Sequence, residues 1–398
     1  MNILLLNTLY PPYVIGGAEL SVASLAEGLA RKKHTVSVIT LSPNGKYEQY
    51  QKNGVNVYRV PISNIYFPFS EKSQDYYKKA IWHIIDTYNP LIKKTIRGFI
   101  EKIRPDIVNT HNIGGFSVSV WGGIKYFGLP LVHTIRDHKL LCPKSSMFRN
   151  NQECKSQCFD CRIYSWPRIK CTKYVDTVVG ISQYILDRHK KHGCFPNAYQ
   201  SVIYNAYKKN LNSDVGKKPG NKIKFGFLGR IHPTKGLHKL IEAFCLLNTG
   251  FAELWIGGTG EDNYERSLKS LTSNMSNVIW LGYVKPEELL CQVDVLVVPS
   301  LWQEPFGRTV IEAFAYGVPV IGSDRGGIPE LITEDTGWIF EPDKPDILQK
   351  YLYFCLNNRL LVSEKGQNAL KEAEKYTCKE MVAQYVDVYG KKINKSYR

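Results

Sequence analysis

The sequence lacks any run of about eighteen apolar residues, so no segment is predicted to span a membrane. The opening MNILLLN is too short for a signal peptide and has no basic flank, which favours a cytoplasmic protein. No Asp-x-Asp pair stands out as a site for a metal ion, and no GxGxxG dinucleotide fingerprint is present. No residue pattern identifies a catalytic nucleophile or general base.

Disulfides are not expected either. The chain has ten cysteines, but a chain of 398 residues without an export signal is expected to keep its thiols reduced. This length is enough for two domains, each with its own core, and an apolar content of 43% is ordinary for a globular protein.

Acidic residues are scarce in the N-terminal half. Residues 1–205 contain 27 Lys and Arg against 13 Asp and Glu, a net +14, whereas residues 206–398 contain 25 against 23, a net +2. The first half is therefore predicted to attract a phospholipid surface, a phosphorylated acceptor or nucleic acid. The alternative is a merely solvated basic surface. Residues 71–104 mix lysines with aromatic residues, which predicts one or two amphipathic helices that either pack normally or lie on a bilayer.

Strand and helix patterns alternate along the whole chain, which predicts an α/β protein with parallel sheets. Residues 1–206 form one such series and residues 223–375 a second. The polar, Lys/Gly/Asn-rich residues 207–222 are predicted to link them. Residues 376–398 have a helical pattern and a basic end.

The clearest pattern runs from residue 293 to 331 and predicts a strand, a helix and a second, parallel strand. Pro305 fits the first turn of this helix, and Gly307 would let an anion approach the free N–H groups there. Glu304 and Glu312 are too far apart for a hydrolytic carboxylate pair and are better placed to bind two parts of one elongated ligand. The alternative is two glutamates with no common role.

Two cations follow the first strand of the second series. In the segment GRIHPTKG, Arg230 and Lys235 lie at the carboxyl end of that strand, where they could meet a diphosphate. A pair of surface charges is the alternative.

In the first series, polar residues follow three predicted strands, at the sheet edge where α/β proteins bind ligands. Gly16 and Gly17 precede a helix, as in phosphate-binding loops. Candidates for the acceptor side of the site follow the next strands: His111, Asn112, Arg136, Asp137 and His138. For each histidine, the alternative to a role in the site is a purely structural role.

Residues 142–171 form a Cys-rich insert. The thiols of Cys142, Cys154, Cys158 and Cys161, with Cys171 as an alternate, have a spacing that fits structural zinc or an iron–sulfur cluster. The alternative is a set of reduced thiols in a mobile loop.

The segment PSLWQEPFGRTVIEAFAYGVPVIGSDRGGIPE resembles the Glu-x7-Glu signature of the retaining, nucleotide-sugar-dependent glycosyltransferases of family 4, also called group 1. The resemblance extends over essentially the whole chain. It implies the GT-B fold, in which two Rossmann-like domains face each other, the C-terminal one binds the donor, and the last helix crosses back to the first domain.

The resemblance also implies roles for individual residues. Arg230 and Lys235 would neutralise the leaving diphosphate in place of Mg²⁺, Glu304 would bind the transferred sugar and Glu312 the ribose. The remaining donor contacts would come from Gly16, Gly17, Gly282, Phe306, Gly307, Arg308 and Thr309. Arg136 stands where family members commonly have a histidine that contacts the sugar, and a guanidinium cannot act as a base.

The expected activity is sugar transfer from a UDP or GDP sugar to an acceptor hydroxyl, in surface polysaccharide or lipid-linked glycan synthesis, with no catalytic cofactor. The expected acceptor is a lipid-linked phosphate sugar at the cytoplasmic face of the membrane, and no nucleic acid is expected as a partner. The alternatives are a nucleotide-sugar 2-epimerase of the same fold and a non-enzymatic protein that binds nucleic acid or metal.

Overall fold

A computed structural model describes residues 1–69, 74–150, 152–209, 220–247 and 249–396. It divides the chain into two compact units: unit 1 comprises Met1–Met147, Cys154–Ala206 and Cys378–Arg398, and unit 2 comprises Phe148–Glu153 and Tyr207–Thr377. Part of the Cys-rich insert, residues 148–153, therefore groups with unit 2 and not with the N-terminal domain as expected. Most of the predicted linker, residues 207–222, lies outside the described residues.

Unit 1 is built on an eight-stranded sheet of order β10-β9-β6-β5-β1-β2-β4-β3. Its strands are β1 (Asn2–Leu6), β2 (Thr35–Ser42), β3 (Glu48–Lys52), β4 (Val55–Pro61), β5 (Ile107–Thr110), β6 (Leu131–Ile135), β9 (Thr177–Gly180) and β10 (Tyr199–Val202). The short hairpin of the insert is β7 (Phe148–Arg149) and β8 (Gln152–Glu153). The helices of unit 1 up to residue 206 are α1 (Gly17–Arg31), α2 (Tyr76–Thr87), α3 (Pro90–Ile103), α4 (Ser119–Lys125), α5 (Phe159–Cys171) and α6 (Gln183–Lys191).

The central strands of this sheet are parallel and almost completely buried, as is usual for parallel strands that are covered on both faces. The predicted parallel sheet is confirmed, and one edge strand departs from it, since β3 pairs antiparallel with β4. The sequence of β3, EQYQK, is polar, as suits a partly exposed edge strand, and it gave no apolar signal.

Unit 2 has a six-stranded, all-parallel sheet of order β13-β12-β11-β14-β15-β16. Its strands are β11 (Ile223–Leu228), β12 (Ala252–Gly257), β13 (Val278–Gly282), β14 (Val295–Val298), β15 (Val320–Ser323) and β16 (Gly337–Phe340). Its helices are α7 (Leu237–Cys245), α8 (Asp262–Leu271), α9 (Pro286–Leu290), α10 (Arg308–Ala315), α11 (Pro345–Asn357) and α12 (Arg359–Glu372).

The last helix, α13 (Cys378–Ser396), is part of the core of unit 1. Met381, Val382 and Tyr385 are buried among the side chains of α1 and the sheet. Gly28 makes this close packing feasible, because a Cβ there would lie 2.4 Å from Cγ2 of Val382. The Tyr389 hydroxyl also accepts a hydrogen bond from the Asn109 side chain at 2.7 Å. The fold of unit 1 thus depends on the two ends of the chain together.

Candidate active site

The strand order of unit 2 reverses between β11 and β14. Loops after two such strands diverge and leave a crevice at the carboxyl edge of the sheet, which is where α/β folds bind ligands. The loop after β11 carries Arg230 and Lys235, and the loop after β14 carries Glu304. The structure therefore brings together residues that are about seventy positions apart in the sequence.

The loop after β11 is held close to the loop after β14 by main-chain contacts. The Leu301 N–H donates a hydrogen bond to the carbonyl of Thr234 at 2.8 Å. Gly236 has a left-handed backbone (φ 68°), and a Cβ there would lie 1.9 Å from the carbonyl oxygen of Pro299. A glycine is thus required after Lys235 for both conformational and steric reasons. Arg230, on the same loop, is exposed.

Lys235 and Glu304 form an ion pair in which Nζ lies 2.5 Å from Oε1. The same oxygen accepts a hydrogen bond from the Ser300 hydroxyl at 2.8 Å. Burial on its own would raise the pKa of Glu304, but the charge of Lys235 and the hydrogen bonds from Lys235 and Ser300 outweigh burial and lower that pKa. Glu304 is therefore a buried carboxylate that is ionised at neutral pH.

A second loop fixes the main chain around Glu304. The Gly327 N–H donates to the Glu304 carbonyl at 2.8 Å, and the Gly326 N–H donates to the side chain of Gln303 at 2.6 Å. Gly326 is left-handed (φ 64°), and a Cβ there would lie 2.0 Å from the Glu304 carbonyl oxygen. Sequence analysis did not assign a role to Ser300 or to the Gly326–Gly327 pair. Two adjacent glycines after a predicted strand are a sequence signal from which a role for this pair could have been predicted.

The predicted start of the helix after Glu304 is wrong. Helix α10 begins at Arg308, so Pro305 lies outside the helix. The reason is Gly307, whose left-handed backbone (φ 100°) cannot continue an α-helix and makes it the N-cap residue. Phe306 has a buried side chain, so only its main chain could contact a ligand. Thr309 is half-buried in the first turn.

Glu312 lies one turn into α10 and is 6% exposed. Arg308 Nε donates to its Oε1 at 2.8 Å. Burial raises the pKa of Glu312, and Glu287 raises it further, while the charge and hydrogen bond of Arg308 act in the opposite direction. Arg308 thus has its own partner four residues along the helix. Gly282 ends β13 with a left-handed backbone (φ 67°), and its carbonyl accepts from the Gly258 N–H at 2.7 Å.

In unit 1 the strand order reverses between β1 and β5. Gly16, in the loop after β1, is the N-cap residue of α1, and its N–H donates to the buried carboxylate of Glu19 at 2.9 Å. Gly17 is the first residue of the helix. Asn112 follows β5, and its N–H donates to the side chain of Asn7 at 3.1 Å. These residues lie where a ligand site is expected in an α/β unit.

Arg136 is buried and connects two parts of unit 1. Its Nε donates to Nδ1 of His111 at 3.2 Å, and its Nη1 donates to the Asn205 side chain at 2.7 Å. Burial and the nearby guanidinium hold the pKa of His111 well below its usual range, so this imidazole is neutral. His111 and Arg136 therefore form one buried polar cluster.

The next two candidates have different surroundings. Burial raises the pKa of Asp137, which accepts a hydrogen bond from the Lys139 N–H at 2.8 Å. The His138 side chain is completely buried and stacks on His189, with ring centroids 6.3 Å apart. This environment is typical of a structural histidine, which is the alternative that the sequence left open.

The Cys-rich insert is largely folded in the part of the chain that the structure describes. Burial and the neighbouring thiols of Cys142 and Cys158, both in hydrogen-bond contact, raise the pKa of the Cys161 thiol. Among the described residues, Cys154 included, no group of three or more His, Cys, Asp or Glu is arranged to hold a metal ion. The zinc or iron–sulfur site stays a prediction.

A buried ion pair helps to fix the insert in place. Arg168 of α5 and Asp86 of α2 are both buried, and Arg168 Nη2 lies 3.3 Å from Asp86 Oδ2. Lys139 Nζ lies 3.0 Å from the same carboxylate oxygen. Sequence analysis missed this cluster because its members are far apart in the chain.

Within the described residues, no helix has both the length and the apolar character that crossing a bilayer requires.

Two family models together match most of the chain. Residues 15–209 match the model described as Glycosyltransferase Family 4, and residues 208–376 match the model described as Glycosyl transferases group 1. The chain belongs to the group 1 glycosyltransferases of family 4. In this glycosyltransferase, unit 2 carries the Glu-x7-Glu segment and the two cations described above.

Relatives and solved structures agree with the family. An uncharacterized 42.6 kDa protein in the cps region of Klebsiella pneumoniae is 38% identical over 332 residues, which cover 83% of this glycosyltransferase and 87% of the relative. Sucrose-phosphate synthase from Thermosynechococcus elongatus has a TM-score of 0.78 at 18% identity, over 98% of both chains. The Anabaena protein HepE in complex with UDP has a TM-score of 0.71 at 18% identity, over 98% of this chain and 100% of that one. These structural likenesses show the GT-B fold.

Proposed function

We propose that the enzyme transfers a sugar from a nucleoside diphosphate sugar, a UDP or GDP sugar, to an acceptor hydroxyl with retention of anomeric configuration. The observation that supports this most directly is the Lys235–Glu304 pair at the point where the strand order of unit 2 reverses. In this proposal the cation of the pair binds phosphate and the carboxylate beside it binds sugar hydroxyls. The crystal structure of HepE in complex with UDP supports the choice of donor class.

In this proposal the diphosphate replaces Glu304 as the partner of Lys235. The Lys235 side chain is partly exposed and its stem is flexible, so its ammonium group can turn from the carboxylate to a phosphate oxygen. Arg230 is exposed on the same loop and adds a second charge, and the N–H groups at the start of α10 add a positive helix end. Each well-placed donor of this kind lowers the barrier by about 3–4 kcal/mol when negative charge develops on the leaving group.

The carboxylates bind the other parts of the donor. Glu304, released from Lys235 and ionised, accepts hydrogen bonds from hydroxyls of the sugar. Glu312 accepts hydrogen bonds from the ribose, with Arg308 helping to keep it ionised. The main chain at Gly282 pairs with the base. In unit 1, the loop at Gly16 and Gly17 is the candidate for the donor, and the acceptor-side candidates are His111, Asn112 and Asp137.

The proposed chemistry needs no base from the protein and no metal ion. The acceptor oxygen attacks the anomeric carbon from the face that the diphosphate leaves. The bond from this carbon to the phosphate oxygen breaks, and that oxygen takes the proton of the acceptor hydroxyl. The products are the glycoside, with its configuration retained, and a nucleoside diphosphate.

We place the reaction at the cytoplasmic face of a membrane, with a lipid-linked phosphate sugar as acceptor, in surface polysaccharide or lipid-linked glycan synthesis. Two observations support this. The first 205 residues carry a net +14, which favours an anionic acceptor and an anionic surface. The relative from Klebsiella pneumoniae is named for a cps region.

The test is to incubate the enzyme with a panel of UDP and GDP sugars and to measure release of the free nucleoside diphosphate. We expect release of the nucleoside diphosphate with one donor. Glu304→Ala should lose this release but still bind the nucleotide. A nucleotide-sugar 2-epimerase would instead exchange the C2 hydrogen of the donor with deuterated solvent. Absence of release with every donor, together with tight nucleic-acid binding, would favour a non-enzymatic binding protein.

A further inference from the structure

Two neighbouring helices of unit 1 expose apolar side chains that a folded chain in water would normally bury. On α5, Phe159 is 77% exposed and Trp166 is 65% exposed, with the exposed Ile163 between them. Their spacing of four and three residues puts all three on one face of the helix. Among the seven tryptophans of the chain, which all lie in the described ranges, Trp166 is the one that is exposed.

Helix α2 repeats the same pattern. Tyr77, Ile81 and Ile84 have the same spacing and are exposed, Ile84 at 63%. We call these six side chains the apolar stripes: Tyr77, Ile81, Ile84, Phe159, Ile163 and Trp166. Large apolar side chains that are exposed together on one face of a helix are typical of a binding surface.

The two helices are fixed to each other on their inner sides. The buried Asp86–Arg168 pair joins α2 to α5, and the rings of His83 and Tyr164 lie with centroids 5.7 Å apart. These inner contacts leave both stripes directed away from the core. The stripes are therefore presented by a rigid pair of helices and not by a flexible loop.

The charges beside the stripes favour a lipid surface as the occupant. The exposed charged residues of the two helices and their caps are Lys78, Lys79, Arg162 and Lys170 against Asp75, which is paired with Lys78, and Asp160. Lys170 Nζ lies 5.9 Å from the ring centroid of Trp166, next to the stripe. Aromatic and aliphatic side chains on one face of a helix, bordered by Lys and Arg, are typical of helices that lie in the membrane interface.

We infer that α2 and α5 insert the apolar stripes into the interface of an anionic bilayer. Through this surface the enzyme would reach the proposed membrane-bound acceptor. The membrane contact is argued independently, and only its use in reaching the acceptor rests on the proposed function. In this inference the Cys-rich insert has a role in membrane binding, because α5 is part of it. The basic residues attract the enzyme to the membrane, and the stripes hold it there.

The first experiment uses vesicles of phosphatidylcholine with phosphatidylglycerol, in which the phosphatidylcholine carries brominated acyl chains. Bromine quenches tryptophan fluorescence at short range, so the wild-type signal should fall when vesicles are added. In Trp166→Phe, which keeps an aromatic side chain at the interface, the enzyme should still sediment with the vesicles but lose most of the quenching. Undiminished quenching in this variant would overturn the inserted position of Trp166.

The second experiment compares vesicle affinity in Ile163→Ser/Trp166→Ser with a matched control. The double variant should bind at least about tenfold more weakly, because two exposed apolar side chains lose their transfer into lipid. The control, Leu360→Ser on α12, removes an apolar side chain that is 90% exposed in unit 2 and should bind like wild type. Thermal unfolding and calorimetry with UDP and GDP verify that both variants are folded.

The outcomes separate this inference from its alternatives. Unchanged vesicle affinity in the double variant would overturn it. If light scattering shows a wild-type dimer that the double variant does not form, the stripes contact a second copy, and the inference is wrong. Vesicle binding is measured without a donor, and nucleotide release without vesicles. Loss of vesicle binding with nucleotide release intact therefore shows that the membrane inference has failed. Loss of nucleotide release with vesicle binding intact shows that the proposed function has failed.

Discussion

Replacing Lys235 by Met should destabilise the enzyme in a pH-dependent way. Methionine keeps most of the aliphatic length of lysine but removes the charge 2.5 Å from the Glu304 carboxylate. Breaking a buried ion pair by removing one partner costs about 3–5 kcal/mol, because the other charge is left without compensation. The Lys235 side chain is 26% exposed, so water screens part of the lost attraction. We expect a decrease of about 2–3 kcal/mol in the free energy of unfolding at neutral pH.

The pH dependence distinguishes this cause from lost packing. In the wild type the folded-state pKa of Glu304 is lowered, so Glu304 contributes stability above the ordinary carboxyl pKa and loses it as the pH falls through the lowered value. In Lys235→Met, the hydrogen bond from Ser300 offsets only part of the effect of burial, and the folded-state pKa should rise above the ordinary value. Glu304 then destabilises the variant at neutral pH and stops doing so once it is protonated. The deficit relative to wild type should therefore shrink as the pH falls.

The assay is urea unfolding from neutral pH down to about pH 4, near the ordinary carboxyl pKa, followed by intrinsic fluorescence. Lys239→Met is the matched control. It breaks the exposed pair of Lys239 with Glu242, whose side chains are 37% and 55% exposed, and should cost less than about 1 kcal/mol at every pH. A deficit of the same size at all pH values, or one no larger than that of the control, would refute the reasoning.

The remaining predictions concern the donor. Arg230→Ala should weaken nucleotide binding by about tenfold or more with little effect on stability, since the side chain is exposed; wild-type affinity in calorimetry would contradict its phosphate role. Transfer should survive EDTA, because the proposed mechanism uses Arg230 and Lys235 in place of Mg²⁺; a loss reversed specifically by Mg²⁺ or Mn²⁺ would count against it. Burial already raises the pKa of Glu312, so Arg308→Leu should raise it further and make nucleotide affinity fall at a higher pH than in wild type as the solution is acidified. An identical pH profile for the two proteins would show that Arg308 does not act through Glu312.

The sheets could be predicted from the sequence where strands are short apolar runs. The strand, helix and parallel strand predicted within residues 293–331 are β14, α10 and β15, and the described part of residues 71–104 contains two helices, one of the two predicted possibilities. The edge strand β3 could not be found in this way, because its polar side chains carry no apolar period. The start of α10 was misplaced because the preference of Pro305 for a first helical turn was weighed without the left-handed backbone of Gly307.

The candidate site was predictable as a set of residue types but not as a set of contacts. The sequence pattern pointed to Lys235 and Glu304 separately, since each follows a strand. Their ion pair depends on β11 and β14 being neighbours in the sheet, which no local pattern reports. The same holds for His111 and Arg136, whose hydrogen bond joins the ends of two strands.

The anomeric configuration of the transferred sugar tests the central claim most directly. With the donor that the panel identifies, proton NMR can record the anomeric signals of the donor and of the first sugar product formed, before mutarotation proceeds. An α-linked donor should give an α product, with Glu304→Ala showing neither signal change nor diphosphate release. A β product from an α donor would mean that water or the acceptor attacks from the opposite face, and the proposed roles of the diphosphate and of Glu304 would be wrong.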